Sequence, residues 1–268
     1  MTQQDLSDAY ENGKYIPGSD GFAAIWERDA AAFRDQLAQQ GRAELDIAYG
    51  EHPREQLDLF MPAQPPVGLV VFVHGGYWKA THRSLWSHFA QGALAHGFAV
   101  AMPSYVLAPE ARISGISQQI RAAIEKAAGL VAGPIRLTGH SAGGHLVSRM
   151  LCGDMEWSGC FCERIEKVVS ISGLHDLRPI MQTDMNAVLA LDLAEAQAES
   201  PALQDAYLPV PITAWVGGAE RPAFLDQAKW LEDAWDTATM VVDPGRHHFD
   251  VIDALKDPNS PLITDLLG

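Results

Sequence analysis

The stretch from Ile135 to Leu151, IRLTGHSAGGHLVSRML, decides how this chain is read. A short apolar run drops into Gly139-His140-Ser141-Ala142-Gly143-Gly144 and then resumes with helical spacing. Gly-x-Ser-x-Gly between a strand and a helix suits a sharp turn that strains the serine backbone and lifts its hydroxyl clear of the sheet. The flanking glycines relieve the crowding of such a turn. A serine there sits at a helix amino terminus, where free N–H groups and the helix dipole favour negative charge. The string alone is weak evidence, because an ordinary turn can carry it; its setting is what gives it weight.

Working outward, apolar runs alternate with longer helical patterns. AELDIAYG and EQLDLFMP alternate in period two and read as an antiparallel pair opening a sheet. GLVVFVHGG, FAVAMPSY, IRLTGH, KVVSISG, PITAWVGG and TMVVDPG are short and rich in β-branched residues. Several are apolar throughout, as strands covered on both faces should be. Helices are expected at about 84–96, 115–131, 142–152, 221–235 and 249–256. The expected fold class is therefore α/β, with a mostly parallel central sheet of about eight strands and helices on both faces. At 268 residues a single domain accounts for the whole chain, 1–268. Two parts fall outside the alternation: a helical extension over 1–42, with its helix at roughly 21–40, and an insertion over 174–209. The insertion far exceeds the connection of ~2–6 residues usual in such units. Both are candidates for a lid or a substrate wall.

Composition excludes several classes of function. A formal charge of −15 opposes nucleic acid or an anionic membrane as the main partner. The opening MTQQDLSDAYENGKY lacks a basic stretch followed by an apolar one, so no signal peptide is expected. No apolar run reaches the roughly 18 residues of a spanning helix. The expected location is cytoplasmic. Cys152, Cys160 and Cys162 fall in one segment and form neither a disulfide framework nor a zinc-ribbon spacing. No HExxH is present, and His140 and His145, five apart, point to different helical faces. No metal and no cofactor are expected. The expected partner is a small-molecule ester or amide, and a homodimer is compatible with the sequence.

A nucleophilic serine needs an oxyanion site, a base and an acid. VVFVHGGYW places His74-Gly75-Gly76 after an earlier strand. Acyl transfer builds an alkoxide that must meet N–H donors already aimed at it. Gly75, Gly76 and Ala142 are the candidate donors, with Tyr77 as a further one. In the chain order serine, acid, histidine the base lies late, and VVDPGRHHFDVI offers both His247 and His248. The acid should follow the strand PITAWVGG, which points to Glu220, with Asp226 and Asp243 nearby as alternatives. Tyr77 and Trp78 are candidate walls for a substrate, or else core aromatics.

These residues together resemble a family. HGGYW, SYVLAPE, GHSAGGHL, SGLHDL, GGAERPAFLDQ and HHFDVI look like the α/β-hydrolase superfamily. Within it they resemble the arylformamidase (kynurenine formamidase) group, a neighbour of the hormone-sensitive-lipase-type esterases. The opening DAYENGKYIPGSDGF is similar to that group's bacterial members, so the likeness runs over nearly the whole chain. The resemblance implies Ser141 as nucleophile, Glu220 as acid and His248, immediately before Phe249, as base, with the oxyanion held by Gly75, Gly76 and Ala142. It departs in Glu220, where some members have aspartate, in Arg221, where a small residue is common, and in Ser104, where esterases often carry Asp. The implied activity is hydrolysis of small carboxylic esters or aryl formamides such as N-formylkynurenine through an acyl-serine. A broad carboxylesterase or thioesterase would use the same residues. A silent binding protein on this fold would usually lack a triad member.

Overall fold

The computed structural model describes residues 2–268. Its sheet has eight strands: β1 (Ala43–Ala48), β2 (Gln56–Phe60), β3 (Gly68–Val73), β4 (Phe98–Pro103), β5 (Ile135–His140), β6 (Ile165–Ile171), β7 (Ile212–Gly217) and β8 (Ala238–Asp243). Their spatial order is β1-β2-β4-β3-β5-β6-β7-β8. β2 pairs antiparallel with β1 and β4, and the remaining neighbours run parallel. This is the α/β-hydrolase arrangement expected from the sequence.

The apolar runs have a simple cause. Every residue of β3, β4 and β7 is buried, because helices cover both faces of the sheet. Successive side chains alternate between the faces. Leu69, Val71 and Val73 join one core with α4 (Ile113–Leu130) and α5 (Ala142–Arg149). Val70 and Phe72 join another with Trp26 and Phe33 of α2 (Ser19–Gln39) and Leu262 and Ile263 of α9 (Pro261–Leu267). On α4, Ile113, Ile116, Ile120 and Ile124 form one fully buried stripe. Each such side chain stabilises the fold by roughly 1.5–3 kcal/mol relative to exposure, so one aspartate in the stripe would break the helix's seat. Among the described residues no helix is long and apolar enough to cross a membrane.

The remaining helices are α1 (Gln3–Ala9), α3 (Gln91–Ala95), α6 (Asn186–Leu189), α7 (Leu193–Ala198) and α8 (Pro222–Ala234). Two expected helices differ from the structure. The segment expected as one helix over 84–96 is two 3-10 turns, Arg83–Leu85 and Ser87–Ala90, followed by the short α3. Trp86 to Ala90 are five consecutive buried residues, which one helical face cannot supply. Residues 249–256 form a 3-10 helix over Val251–Lys256.

The strand registers gather the candidate residues at one edge of the sheet. Val73 lies opposite Gly139, His140 opposite Ile171, and Ile171 opposite Trp215. The loops after β3, β5, β6 and β7 therefore emerge side by side at the carboxyl ends of the strands, where open α/β sheets place their ligands.

Candidate active site

Ser141 joins β5 to α5 with φ 56° and ψ −117°, a conformation costly for a residue with a Cβ. Its N–H donates to Ile171 O at 2.8 Å. The two motif glycines are demanded by contact. A Cβ on Gly139 would lie 2.3 Å from Gly143 O, and one on Gly143 would lie 1.9 Å from Val73 O. The strained serine is thus clamped between two backbones that no larger residue would let approach.

The loop after β3 packs against this turn. A Cβ on Gly75 would stand 2.8 Å from His140 O and 3.0 Å from Ser141 Cβ. Gly76 (φ 113°), Tyr77 (φ 49°) and Trp78 (φ 55°) carry the loop through left-handed backbone. His74 Nδ1 donates to Gly75 O at 2.8 Å, and its ring stacks on Tyr105 with centroids 4.4 Å apart. Burial pulls the pKa of His74 down to about 3, so it holds the loop as a neutral ring. Among the described residues, the N–H groups of Gly75, Gly76 and Ala142 have no protein acceptor. Ser104, the departure noted in the sequence, is buried and accepts from Arg83 N at 3.0 Å, which fixes the adjacent segment.

The two late histidines part company. His248 Nδ1 donates to Glu220 Oε2 at 2.6 Å, both side chains being buried. Glu220 Oε1 accepts from Gly217 N at 2.8 Å and from Ser172 Oγ. The His248 ring lies between Phe224 and His140, with centroids at 4.4 and 4.7 Å. His247 instead turns to its own loop, its Nδ1 accepting from Phe249 N and Asp250 N. Asp226 is exposed on α8, and Asp243 ends β8 half-buried. The structure therefore brings Ser141, Glu220 and His248 to one place. Ser141 and His248 line the same cavity, with Glu220 behind the histidine.

Ser141, His140 and His248 line a cavity of about 590 Å³. His140 Nε2 donates to His248 O at 2.8 Å, and burial, then the neighbouring His248, keep its pKa well below the ordinary value. His140 thus orients the loop carrying His248 and stays neutral. Tyr10, Trp26, Tyr77, Trp86 and Phe249 supply an aromatic wall. The rim carries both signs of charge, with Glu11 and Asp184 opposite in sign to Lys14 and Lys79.

One expected wall residue is corrected. Trp78 is fully buried and absent from the cavity lining, its ring edge-on to His145 of α5 with centroids 5.1 Å apart. At its left-handed φ the chain turns between neighbours, so Tyr77 faces the cavity while Trp78 enters the core. The sequence did not reveal that Tyr10, at the carboxyl end of α1, reaches the cavity. Tyr77 Oη donates to Tyr10 O at 2.6 Å. Arg221 turns from the acid it follows, donating to Asp8 Oδ2 at 3.0 Å with its guanidinium 3.7 Å from the Tyr15 ring centroid.

Known proteins share this architecture. The BD-FAE family model matches residues 57–214, more than half of the chain. The chain is similar to kynurenine formamidase of Danio rerio, 30% identical over 238 residues that span 83% of this chain and 80% of the relative. It is 29% identical to kynurenine formamidase of Salmo salar over 83% of this chain and 80% of that one. Among solved structures, a "putative thioesterase" from Silicibacter sp. tm1040 is 52% identical, with a TM-score of 0.95, covering 98% of this chain and 99% of that chain. Esterase B from Lactobacillus rhamnosis, 19% identical with a TM-score of 0.68 over 90% and 93% of the two chains, shares the fold.

Proposed function

We propose, from the premise that the chain belongs to the BD-FAE family of α/β-hydrolases, that it hydrolyses aryl formamides and short carboxylic esters through an acyl-serine. The observation that carries this reading is the alignment of His248 Nδ1 on Glu220 Oε2 at 2.6 Å beside a serine held in the strained elbow. His248 Nε2 takes the Ser141 proton as Oγ attacks the carbonyl carbon. The oxyanion accepts hydrogen bonds from the N–H groups of Ala142 and of Gly75 or Gly76. Collapse breaks the bond to the leaving group, which takes the proton from His248. Water then repeats the sequence on the acyl-serine, releasing the acid and freeing Ser141. Glu220 holds the imidazole in the tautomer with its proton on Nδ1 and stabilises the imidazolium.

The substrate class rests on the cavity and on the relatives. A volume of about 590 Å³ lies within the range for small-molecule sites, and its aromatic wall suits an aryl leaving group. The relatives in Danio rerio and Salmo salar are named for cleaving a formamide. A thioesterase is the second reading, favoured by the name of the structure 52% identical to this chain. The free state of Cys152, Cys160 and Cys162 supports the cytoplasm as the compartment.

The test is a kinetic panel of N-formylkynurenine, p-nitrophenyl esters from formyl to decanoyl, and an acyl-CoA. The expected result is turnover of the formamide and a short-chain optimum among the esters. Preference for the acyl-CoA installs the thioesterase, and a rate climbing toward decanoyl removes the small-acyl reading. Ser141→Ala should lose several orders of magnitude in kcat while remaining folded. His248→Ala should do the same, whereas His247→Ala should not.

A further inference from the structure

Two neighbouring strands end in a serine with left-handed backbone. Ser141 (φ 56°) follows β5, and Ser172 (φ 51°) follows β6. The first strain presents a nucleophile. The second has no such explanation, because Ser172 is 1% exposed and does not line the cavity. A glycine would adopt that φ freely, yet the glycine stands one residue later, at Gly173, where a Cβ would lie 2.1 Å from Ser170 Oγ. Something about the Ser172 side chain has to be worth the strain.

Among the described residues its hydroxyl has one hydrogen bond, donated to Glu220 Oε1. The backbone is held to deliver it, since Ser172 N donates to Trp215 O at 2.7 Å across the β6–β7 pairing. Gly217 N is the other donor to the same carboxylate oxygen, at 2.8 Å. One donor at Oε1 would leave the carboxylate free to swing about that contact. A second, from a different strand, fixes its plane and leaves Oε2 directed at His248 Nδ1. A glutamate has one more rotatable bond than an aspartate, so it needs the second donor more.

We propose that Ser172 is a positioning residue for the acid of the triad, its hydroxyl holding the Glu220 carboxylate so that Oε2 stays on His248. The inference rests on the reading of Glu220 as that acid. Ser172 touches no substrate and acts only through Glu220.

The experiment measures kcat and KM for p-nitrophenyl acetate in Ser172→Ala, which keeps a Cβ, and Ser172→Gly, which also relieves the backbone. Each is made in the natural chain and on Glu220→Ala, with folding checked by thermal melting. Losing a hydrogen bond to a charged group should lower kcat by about ten- to a hundredfold, with KM within about twofold. The two variants should lose equally, since both lack the hydroxyl. On the Glu220→Ala background neither should lower kcat further. If Ser172→Gly keeps full kcat, the hydroxyl does nothing and the proposal is overturned. Equal losses with and without Glu220 also overturn it, by showing that Ser172 does not act through the acid. Glu220→Ala with undiminished kcat would be a different failure, removing the acid itself and with it this role. Should Ser172→Ala not fold, the strain-relieved glycine variant carries the test alone.

Discussion

The amino-terminal arm, residues 2–18, and the insertion, residues 174–209, both border the cavity, yet they are fastened by different physics. The insertion is part of the core. Leu174, Leu177, Ile180, Leu189, Leu191 and Ala196 are buried with the α4–α5 face of the sheet. Its Glu199 carboxylate accepts from Ser117 Oγ at 2.6 Å and from Arg149 Nε at 3.1 Å, and its carbonyl accepts from His145 Nε2 at 2.6 Å. The arm buries few apolar side chains, chiefly Leu6, Tyr10 and Ile16. Its clasp is polar and near the surface: Asp8 takes Lys14 Nζ at 2.6 Å, Tyr15 Oη at 2.7 Å and Arg221 Nη2 at 3.0 Å. Displacing the insertion would expose Arg149 on α5, the helix that carries Ser141 at its cap. Held mainly by polar contacts near the surface, the arm is expected to open before the insertion does.

Breaking the insertion should have the largest effect. Glu199→Ala leaves the Arg149 guanidinium buried, with Asp154 as its remaining carboxylate. Removing one partner of a buried pair should cost about 3 kcal/mol. In a domain of this size that lowers Tm by roughly 10 °C. Activity should fall with it, because α5 loses its seat. Thermal melts of Glu199→Ala and Glu199→Gln check this, the glutamine falling between because it keeps an acceptor for Ser117. A melt unchanged in the alanine variant would mean that the insertion is no more firmly built in than the arm.

Loosening the arm should be milder and should appear in a different observable. Arg221→Ala removes the clasp and the guanidinium stacked on Tyr15. An ion pair this near the surface contributes little to stability, so Tm should move by no more than about 2 °C. The kcat/KM for an aryl substrate should fall by roughly three- to tenfold, through KM, because the arm supplies a wall and no reacting group. A loss confined to kcat would place Arg221 in the acid's machinery instead.

The contrast between the walls also marks how far the sequence could be read. The strands were legible because burial on both faces leaves nearly unbroken apolar runs, and Gly139, Ser141 and Gly143 were legible because one backbone contact dictates each glycine. Both walls were recognisable only as departures from the alternation. What holds them was not visible, since Asp8 meets Arg221 and Glu199 meets Arg149 across distances that no local pattern encodes. Gln227, which links the walls by donating to Tyr10 Oη at 2.9 Å and accepting from His175 N at 2.6 Å, was equally silent. Two small helices do carry local signals in the sequence. Thr2 and Asp5 form a capping box for α1, and Ser260 caps α9 ahead of Pro261.

The smallest effect sharpens the comparison by asking when the clasp opens. Hydrogen bonds from Lys14, then from Tyr15, hold Asp8 below the ordinary aspartate pKa. A carboxylate depressed in the folded state contributes stability above its unfolded pKa and loses it as pH falls through the folded one. Lys14 stays protonated over that range, its own pKa being raised by the Asp8 contact. On the alkaline side, burial pushes the Tyr10 hydroxyl up to about 12, so its bond from Gln227 persists. Residues 2–18 contain no histidine, the side chain whose ordinary charge change falls near neutrality. Amide exchange in α1, corrected for intrinsic rates, should therefore stay flat from about pH 9 to pH 5 and rise only below about pH 4. Exchange in the insertion should follow global unfolding instead. Opening of the arm between pH 6 and 8 would mean that a group outside the clasp controls it. A shared profile for arm and insertion would dissolve the distinction between them.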